Sequence, residues 1–145
     1  MSRTLDELLD DARARIKRLT PSEALAATEI GGLIIDIRSD LDRERLGVVP
    51  GSVHIPRTVL EWRVAPTSPW RNPHLGEHDR KLIILCDHGY SSTLAAATLV
   101  ELGLDAADVI GGFEAWQETR LPITAPARRL DPGELAGMGP PEASV

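Results

Sequence analysis

The stretch LIILCDHGYSS, residues 82–92, contains the only cysteine of the chain, Cys86, directly after four aliphatic residues. A short, continuous apolar run of this kind predicts a strand buried on both faces, as in a parallel sheet. A helix is predicted to follow from Ser91 to Leu102 and to end at Gly103. Cys86 is therefore expected at the carboxyl end of a strand, where open parallel sheets bind their ligands.

The loop that joins Cys86 to this helix must curl back, which lets its backbone N–H groups converge on the sulfur. The helix N-terminus adds about half a positive charge, and both features favour the reactive thiolate. Gly89 can take the positive φ that such a tight curl requires. On its position alone, a lone cysteine after an apolar strand is more commonly a small buried hydrophobe, so these residues leave both interpretations open.

The rest of the chain predicts an α/β fold, because strand-like runs alternate with helical ones. Thr20, Pro21 and Glu23 have the spacing of a capping box that starts a helix. Further strands are predicted at 33–37, 53–55 and 109–110, and helices at 2–16, 21–29 and 113–119. Residues 64–79 contain three prolines and are predicted to form an ordered loop.

Composition limits the classes of function. The 145 residues suit one domain, and 42% hydrophobic with 26% charged residues is near the globular average. The formal net charge of −6 and only five aromatic residues argue against a nucleic-acid partner. No apolar run approaches the length of a membrane span, and the first 20 residues lack a secretory signal. A single cysteine excludes an internal disulfide, so a reducing cytoplasm is the expected location.

Four segments together resemble the single-domain rhodanese (sulfurtransferase) family over roughly residues 18–122. Residues 33–38 end in the Asp-x-Arg of one family strand, and residues 86–92 resemble the active-site loop. Residues 46–56, LGVVPGSVHIP, resemble the motif usually read as Gly-His-Ile-Pro-Gly-Ala. Residues 109–116, VIGGFEAW, resemble the closing motif with its double glycine and tryptophan.

The resemblance implies a rhodanese-like open parallel sheet of about five strands with helices on both faces. The rhodanese-like domain is placed at 18–123. Apolar spacing predicts an amphipathic helix before it (1–17), and a composition rich in proline and glycine predicts a disordered tail after it (124–145). The resemblance also implies a catalytic Cys86 that carries a sulfane sulfur as a persulfide to a thiol or cyanide. The donor would be a small sulfur compound or a protein persulfide, and neither a metal nor an organic cofactor is required.

The residues expected to bind the donor follow Cys86 in the loop: Asp87, His88, Gly89, Tyr90, Ser91 and Ser92. Active loops of the family commonly carry an arginine five residues after the cysteine, where this chain has Ser91, and its absence argues against efficient use of thiosulfate. Val48 also replaces the histidine of the Gly-His dipeptide. Three arginines before the loop are candidates to compensate: Arg57, Arg63 and Arg71.

Other functions compete with sulfur transfer. A cysteine phosphatase needs Cys-x5-Arg, which would place arginine where Ser92 stands. A non-catalytic rhodanese-like binding module is favoured by the missing loop arginine and opposed by the retained Cys86. His74 and His78 stand four residues apart, but without a third ligand they do not predict a metal site. Asp36 and Arg38 are expected to fix the backbone rather than to do chemistry.

Overall fold

The computed structural model describes residues 2–127, in which five parallel strands form one sheet in the order β1-β5-β4-β2-β3. The strands are β1 (Lys17–Leu19), β2 (Leu33–Asp36), β3 (Val53–His54), β4 (Leu82–Leu85) and β5 (Ala106–Val109). The helices are α1 (Leu5–Arg15), α2 (Pro21–Glu29), α3 (Asp40–Leu46), α4 (Leu60–Val64), α5 (Ser91–Glu101) and α6 (Gly112–Glu118). Two 3₁₀ turns lie at Arg57–Val59 and Pro73–Leu75. Within this range no helix has the combined length and apolarity needed to cross a bilayer.

The sheet is covered on both faces, and each face has its own apolar cluster. Every residue of β2, β4 and β5 is buried, which explains why these strands lack a polar alternation. Ile35 and Ile84 pack with residues of α4 and α5 on one face. Ile34 and Ile83 pack on the other face with α2 and with Phe113 and Trp116 of α6. The predicted open parallel sheet is confirmed.

Local sequence signals predicted the bounds of several helices and strands to within one residue. The helix predicted at 21–29 is α2, and its capping box forms as expected, with Glu23 N–H donating to Thr20 Oγ1 and Thr20 N–H donating to Glu23 Oε1. The helix predicted from Ser91 is α5, which ends at Glu101. The predicted loop at 64–79 is irregular apart from the end of α4 and one 3₁₀ turn.

Several elements differ from the sequence predictions. α1 spans Leu5–Arg15 rather than 2–16, and α4 at Leu60–Val64 was not predicted. β5 starts at Ala106 rather than Val109, because a buried acid, Asp108, interrupts the apolar run that marks a strand. β1 was not predicted, since three residues are too few to show a period. α3 was also missed, because its sequence DLDRERL is too polar to show an apolar stripe.

Beyond α6 the chain returns to the domain. Trp116 Nε1 donates a hydrogen bond to the carbonyl oxygen of Pro122 at 2.9 Å. Val48 and Thr124 then form an antiparallel bridge through N–H···O bonds of 2.8 and 2.9 Å. Residues 128–145, which make up most of the predicted tail, lie outside the described residues.

The capping box of α2 gives a stability prediction. Thr20→Ala should lower the free energy of unfolding by about 1 kcal/mol, because one N–H at the start of α2 loses its acceptor. Urea denaturation followed by circular dichroism measures the change. Thr58→Ala, at an exposed threonine, is the control and should stay within about 0.5 kcal/mol of the parent protein. Equal stabilities for the two variants would contradict a stabilising role for the cap.

Candidate functional site: the Cys86 loop

The Cys86 sulfur lies in a turn of backbone N–H groups at the carboxyl end of β4. Gly89 N–H donates to Cys86 Sγ at 3.1 Å, and Ser92 N–H donates to it at 3.4 Å. The Ser92 N–H lies in the first turn of α5, so the positive end of the helix dipole faces the sulfur. Cys86 is a free thiol and is only 5% exposed. Both N–H groups stabilise negative charge on this sulfur.

Two glycines allow this loop to exist. Gly89 has a φ of +84°, and a Cβ added there would lie 2.7 Å from the backbone nitrogen of Gly111. Gly112 has a φ of +62°, and a Cβ there would lie 2.5 Å from the carbonyl oxygen of Cys86. No other residue type fits either position without moving the backbone.

The start of α6 holds the opposite side of the loop. Phe113 N–H donates to the carbonyl oxygen of Cys86 at 2.8 Å, and Glu114 N–H donates to that of Asp87 at 3.1 Å. Gly112 of the double glycine is what lets these two N–H groups come so close to the loop backbone. The VIGGFEAW segment therefore supports the cysteine loop directly.

An ion pair between Arg18 and the buried Asp108 contacts the loop from the neighbouring strands β1 and β5. Asp108 on β5 is fully buried and accepts hydrogen bonds from Arg18 Nε and from the Ser92 and Thr93 hydroxyls, each at 2.8 Å. Arg18 Nη2 also donates to the carbonyl oxygen of Gly89 at 3.0 Å. The ion pair thus contacts the same segment that contacts the sulfur.

The rim of the loop is exposed and largely acidic. His88 Nδ1 lies 2.8 Å from Glu114 Oε2, and both side chains are more than half exposed. Tyr90 is 59% exposed. An open groove beside the loop is lined by His88, Tyr90, Gly111, Glu114, Ala115 and Glu118. His88 is therefore paired with a carboxylate rather than with Cys86.

The carboxyl groups of Asp87 and Asp42 lie next to each other beside the loop. Burial raises the pKa of Asp87, and the charge of Asp42 and a side-chain hydrogen bond with it raise that pKa further. The positive charges of Arg38 and His88 act in the opposite direction. Asp42 comes from α3, so this helix adds negative charge to the mouth of the site.

The end of β2 carries an ion pair that is buried on both sides. Asp36 and Arg38 are both buried, and Arg38 Nη2 donates to Asp36 Oδ2 and to the carbonyl oxygen of Gly47, each at 2.8 Å. The Arg38 guanidinium carbon lies 3.8 Å from the centre of the Phe113 ring. These contacts join β2 to α6 and to the segment after α3, which is a structural role.

His54 has a structural environment as well. Its Nε2 lies 2.8 Å from the carbonyl oxygen of Arg38. Burial lowers the pKa of His54, and the charge of Arg43 lowers it further. The neutral form of this histidine is therefore favoured in the folded protein.

The three arginines before β4 each contact a group outside the Cys86 loop. Arg57 forms an ion pair with Glu61 at 2.7 Å. Arg63 is buried, which lowers its pKa, and it donates to the carbonyl oxygen of Trp70. Arg71 Nη1 donates to the carbonyl oxygen of Gly76 at 3.1 Å. Among residues 2–127, no three His, Cys, Asp or Glu side chains come together as a metal ion would require.

The structure separates the six loop residues expected to bind a donor into two sets. Gly89 and Ser92 contact the sulfur, while Asp87, His88, Tyr90 and Ser91 lie around the rim. Sequence reasoning missed Asp42, Arg18, Thr93 and Asp108. An acid within the otherwise apolar AADV stretch was the available signal for Asp108.

Comparison with known proteins places this architecture in a family. A family model for the rhodanese-like domain matches residues 20–119. Thiosulfate sulfurtransferase GlpE of Pseudomonas savastanoi pv. phaseolicola is 35% identical over 104 residues, which cover 71% of this chain and 89% of the relative. GlpE of Stutzerimonas stutzeri is 36% identical over 104 residues, with 71% and 86% covered.

A solved structure has a similar fold. A Rhodopseudomonas palustris protein of unknown function, described as a possible tyrosine phosphatase, shares a TM-score of 0.77 and 37% identity with this chain. The match covers 86% of this chain and 96% of the other. A cysteine at the end of a central parallel strand, enclosed by loop N–H groups, defines the class of site. The chain belongs to the rhodanese-like domain family, which confirms the resemblance drawn from its motifs.

The carboxyl pair predicts a pH-dependent change in stability. A raised pKa means that folding favours protonated Asp87, so ionised Asp87 opposes folding at neutral pH. Asp87→Asn should therefore increase the free energy of unfolding at pH 7. The gain should disappear as the pH falls through the raised pKa to below the ordinary value of 3.8. Urea denaturation across this pH range measures it.

Asp79→Asn is the matched control, because it removes one negative charge at an exposed position away from Asp42. It should show no comparable gain. A destabilised Asp87→Asn protein at pH 7 would contradict the assigned repulsion.

Proposed function

We propose that this protein is a sulfurtransferase in which Cys86 is the nucleophile and carries the transferred sulfur as a persulfide. The observation that carries the proposal is the convergence of the Gly89 and Ser92 N–H groups on Cys86 Sγ. Such groups stabilise the attacking thiolate and the thiolate that is regenerated at the end of the reaction. The sulfurtransferase relatives give independent support for the same chemistry.

The reaction proceeds in two displacements. The Cys86 thiolate attacks the outer sulfur of the donor, a sulfur–sulfur bond forms, and the bond to the rest of the donor breaks. The donor remainder leaves with that electron pair. A thiolate or cyanide then attacks the terminal sulfur, which becomes a persulfide or thiocyanate, and the Cys86 thiolate is released. Atoms and electrons balance without a metal or an organic cofactor.

The negative charge around the loop affects which sulfur donor can bind. Asp87, Asp42 and Glu114 lie at or near the rim, and the chain has a net charge of −6. The cations of the region are paired, since Arg18 contacts Asp108 and Arg38 contacts Asp36. These charges favour a small persulfide of low net charge, such as cysteine persulfide, or a protein persulfide over dianionic thiosulfate. The persulfide and thiol partners suit the reducing cytoplasm expected for a chain with one cysteine.

Phosphatase chemistry has less support. A phosphate-binding loop of the Cys-x5-Arg type needs a guanidinium at position 92, but Ser92 stands there and its hydroxyl donates to Asp108. A non-catalytic binding module remains the second candidate, favoured by the serine at position 91. The two functions differ in whether Cys86 accepts a sulfur atom.

Mass spectrometry of the intact protein tests the proposal. After treatment with cysteine persulfide or glutathione persulfide and removal of excess donor, the mass should rise by one sulfur atom. Cyanide should remove that atom as thiocyanate. Cys86→Ser should show neither change and should keep a cooperative thermal transition. If neither persulfides nor thiosulfate add a sulfur atom to the wild-type protein, the binding-module hypothesis replaces the proposed sulfurtransferase activity.

The serine at position 91 gives a second test. Ser91 is exposed at the first position of α5, so Ser91→Arg should fit and place a cation near the loop. Thiosulfate use should improve roughly 10-fold, mainly through a lower apparent KM, because the added charge binds donor and transition state alike. Steady-state kinetics with thiosulfate and cyanide measure the effect, which should shrink as salt rises.

Ser91→Gln is the uncharged control and should show little gain. If wild type already uses thiosulfate efficiently and Ser91→Arg adds nothing, another cation binds the donor. Arg57 and Arg63 would then be the next positions to substitute.

A further inference from the structure

The two residues whose N–H groups contact the Cys86 sulfur are both held by one ion pair outside the loop. Gly89 donates its N–H to Sγ, and its carbonyl oxygen accepts a hydrogen bond from Arg18 Nη2 at 3.0 Å. Ser92 donates its N–H to Sγ, and its hydroxyl donates to Asp108 Oδ2 at 2.8 Å. Arg18 and Asp108 bind each other through Arg18 Nε and Asp108 Oδ1 at 2.8 Å.

Thr93 closes this network. Its hydroxyl lies 2.8 Å from Asp108 Oδ2 and 3.1 Å from the carbonyl oxygen of Gly89. Asp108 Oδ2 therefore meets two hydroxyls of the first turn of α5, in addition to Arg18 Nη2 at 3.2 Å. The positions of the loop and of the helix start are linked through a single carboxylate.

The sheet register makes the pair rigid. Arg18 of β1 and Asp108 of β5 are directly paired residues in adjacent strands. Asp108 shares its side of β5 with Ala106, whose side chain belongs to the apolar cluster that includes α5 residues. A carboxylate in such surroundings is costly unless it is fully hydrogen-bonded. Its partners here are the groups that shape the cysteine loop.

We propose that Arg18 and Asp108 are positioning residues that keep the Gly89 and Ser92 N–H groups directed at Cys86 Sγ. This inference rests on the proposed function of Cys86 as the nucleophile. Arg18 precedes residues 20–119, which match the family model, so the N-terminal segment contributes to the active-site loop. Neither residue touches the reacting sulfur, and both act through the loop backbone.

Substituting Arg18 tests this role. In Arg18→Gln, Gly89 loses the guanidinium donor and Asp108 loses its counter-ion, and both changes disfavour the Cys86 thiolate. The pH midpoint of Cys86 alkylation by iodoacetamide should rise. The alkylation rate at pH 7 should fall roughly 2- to 10-fold, as expected when about one hydrogen bond to the loop is lost. With a persulfide donor, kcat should fall more than KM changes.

Arg15→Gln is the matched control. Arg15 also joins the N-terminal segment to α5, but through Glu101 at the other end of that helix, at 3.0 Å. Its removal should leave the alkylation midpoint unchanged. Arg18→Lys keeps the charge but cannot donate to both Asp108 and Gly89 in a fixed fork, so its midpoint should lie between those of Arg18→Gln and wild type.

An unchanged midpoint in a folded Arg18→Gln protein would overturn the proposal, as would an equal rise in Arg15→Gln. If Arg18→Gln does not fold, the Thr93→Val variant tests the proposal instead. It removes the hydroxyl that lies between the Gly89 carbonyl oxygen and Asp108, at nearly constant side-chain volume. A raised midpoint in Thr93→Val supports the proposal, and a wild-type midpoint overturns it. Alkylation does not depend on sulfur transfer, so a wild-type protein that forms no persulfide refutes the proposed function separately.

Discussion

The close approach of Gly112 to the loop after β4 is the constraint on which the site depends. An added Cβ at Gly112 would lie 2.5 Å from the carbonyl oxygen of Cys86. Because Gly112 has no side chain, the N–H groups of Phe113 and Glu114 can donate hydrogen bonds to the carbonyl oxygens of Cys86 and Asp87. The carbonyl oxygens of Cys86 and Asp87 therefore have hydrogen-bond donors from α6. The N–H groups of Gly89 and Ser92 point to the sulfur instead.

Two ion pairs, each with a fully buried aspartate, hold the elements around this loop. Asp36 and Arg38 connect β2 to the Phe113 ring and to Gly47, while Arg18 and Asp108 connect β1 and β5 to the start of α5. Burying such charges costs several kcal/mol per ion, which good geometry and additional hydrogen bonds offset. Apolar residues would pack in the same volume but could not orient a backbone. The buried charges therefore act mainly as orienting groups.

The surroundings of the loop combine a stabilised sulfur with an acidic rim. The backbone N–H groups that face Cys86 carry no net charge, so they favour a thiolate without attracting anions over a distance. Asp87 and Glu114 add negative charge at the rim of the loop. Relatives named as thiosulfate sulfurtransferases share the fold with this chain, but donor preference depends on side chains of the rim, which vary independently of the fold.

Much of the fold and the position of Cys86 at the end of a strand followed from the sequence alone. LIILC predicted a buried strand that ends at a cysteine, the TPSE stretch predicted the start of α2, and the spacing of four motifs predicted the family. These signals are local or depend on order along the chain, so they can be interpreted without coordinates. Asp36 and Arg38, two residues apart, were for the same reason interpreted as a backbone-fixing pair.

Only the tertiary structure brought Arg18, Asp42 and Asp108 to the cysteine loop. Arg18 and Asp108 are separated by 90 residues and meet because β1 and β5 are neighbours in the sheet. Strand order is decided by how all the helices pack on both faces, and a three-residue strand such as β1 carries no period that reveals its neighbour. The polar helix α3 likewise shows no apolar stripe that would place Asp42 beside Asp87. The sequence by itself determined where the single cysteine lies, and the packing of the sheet decided which charges surround it.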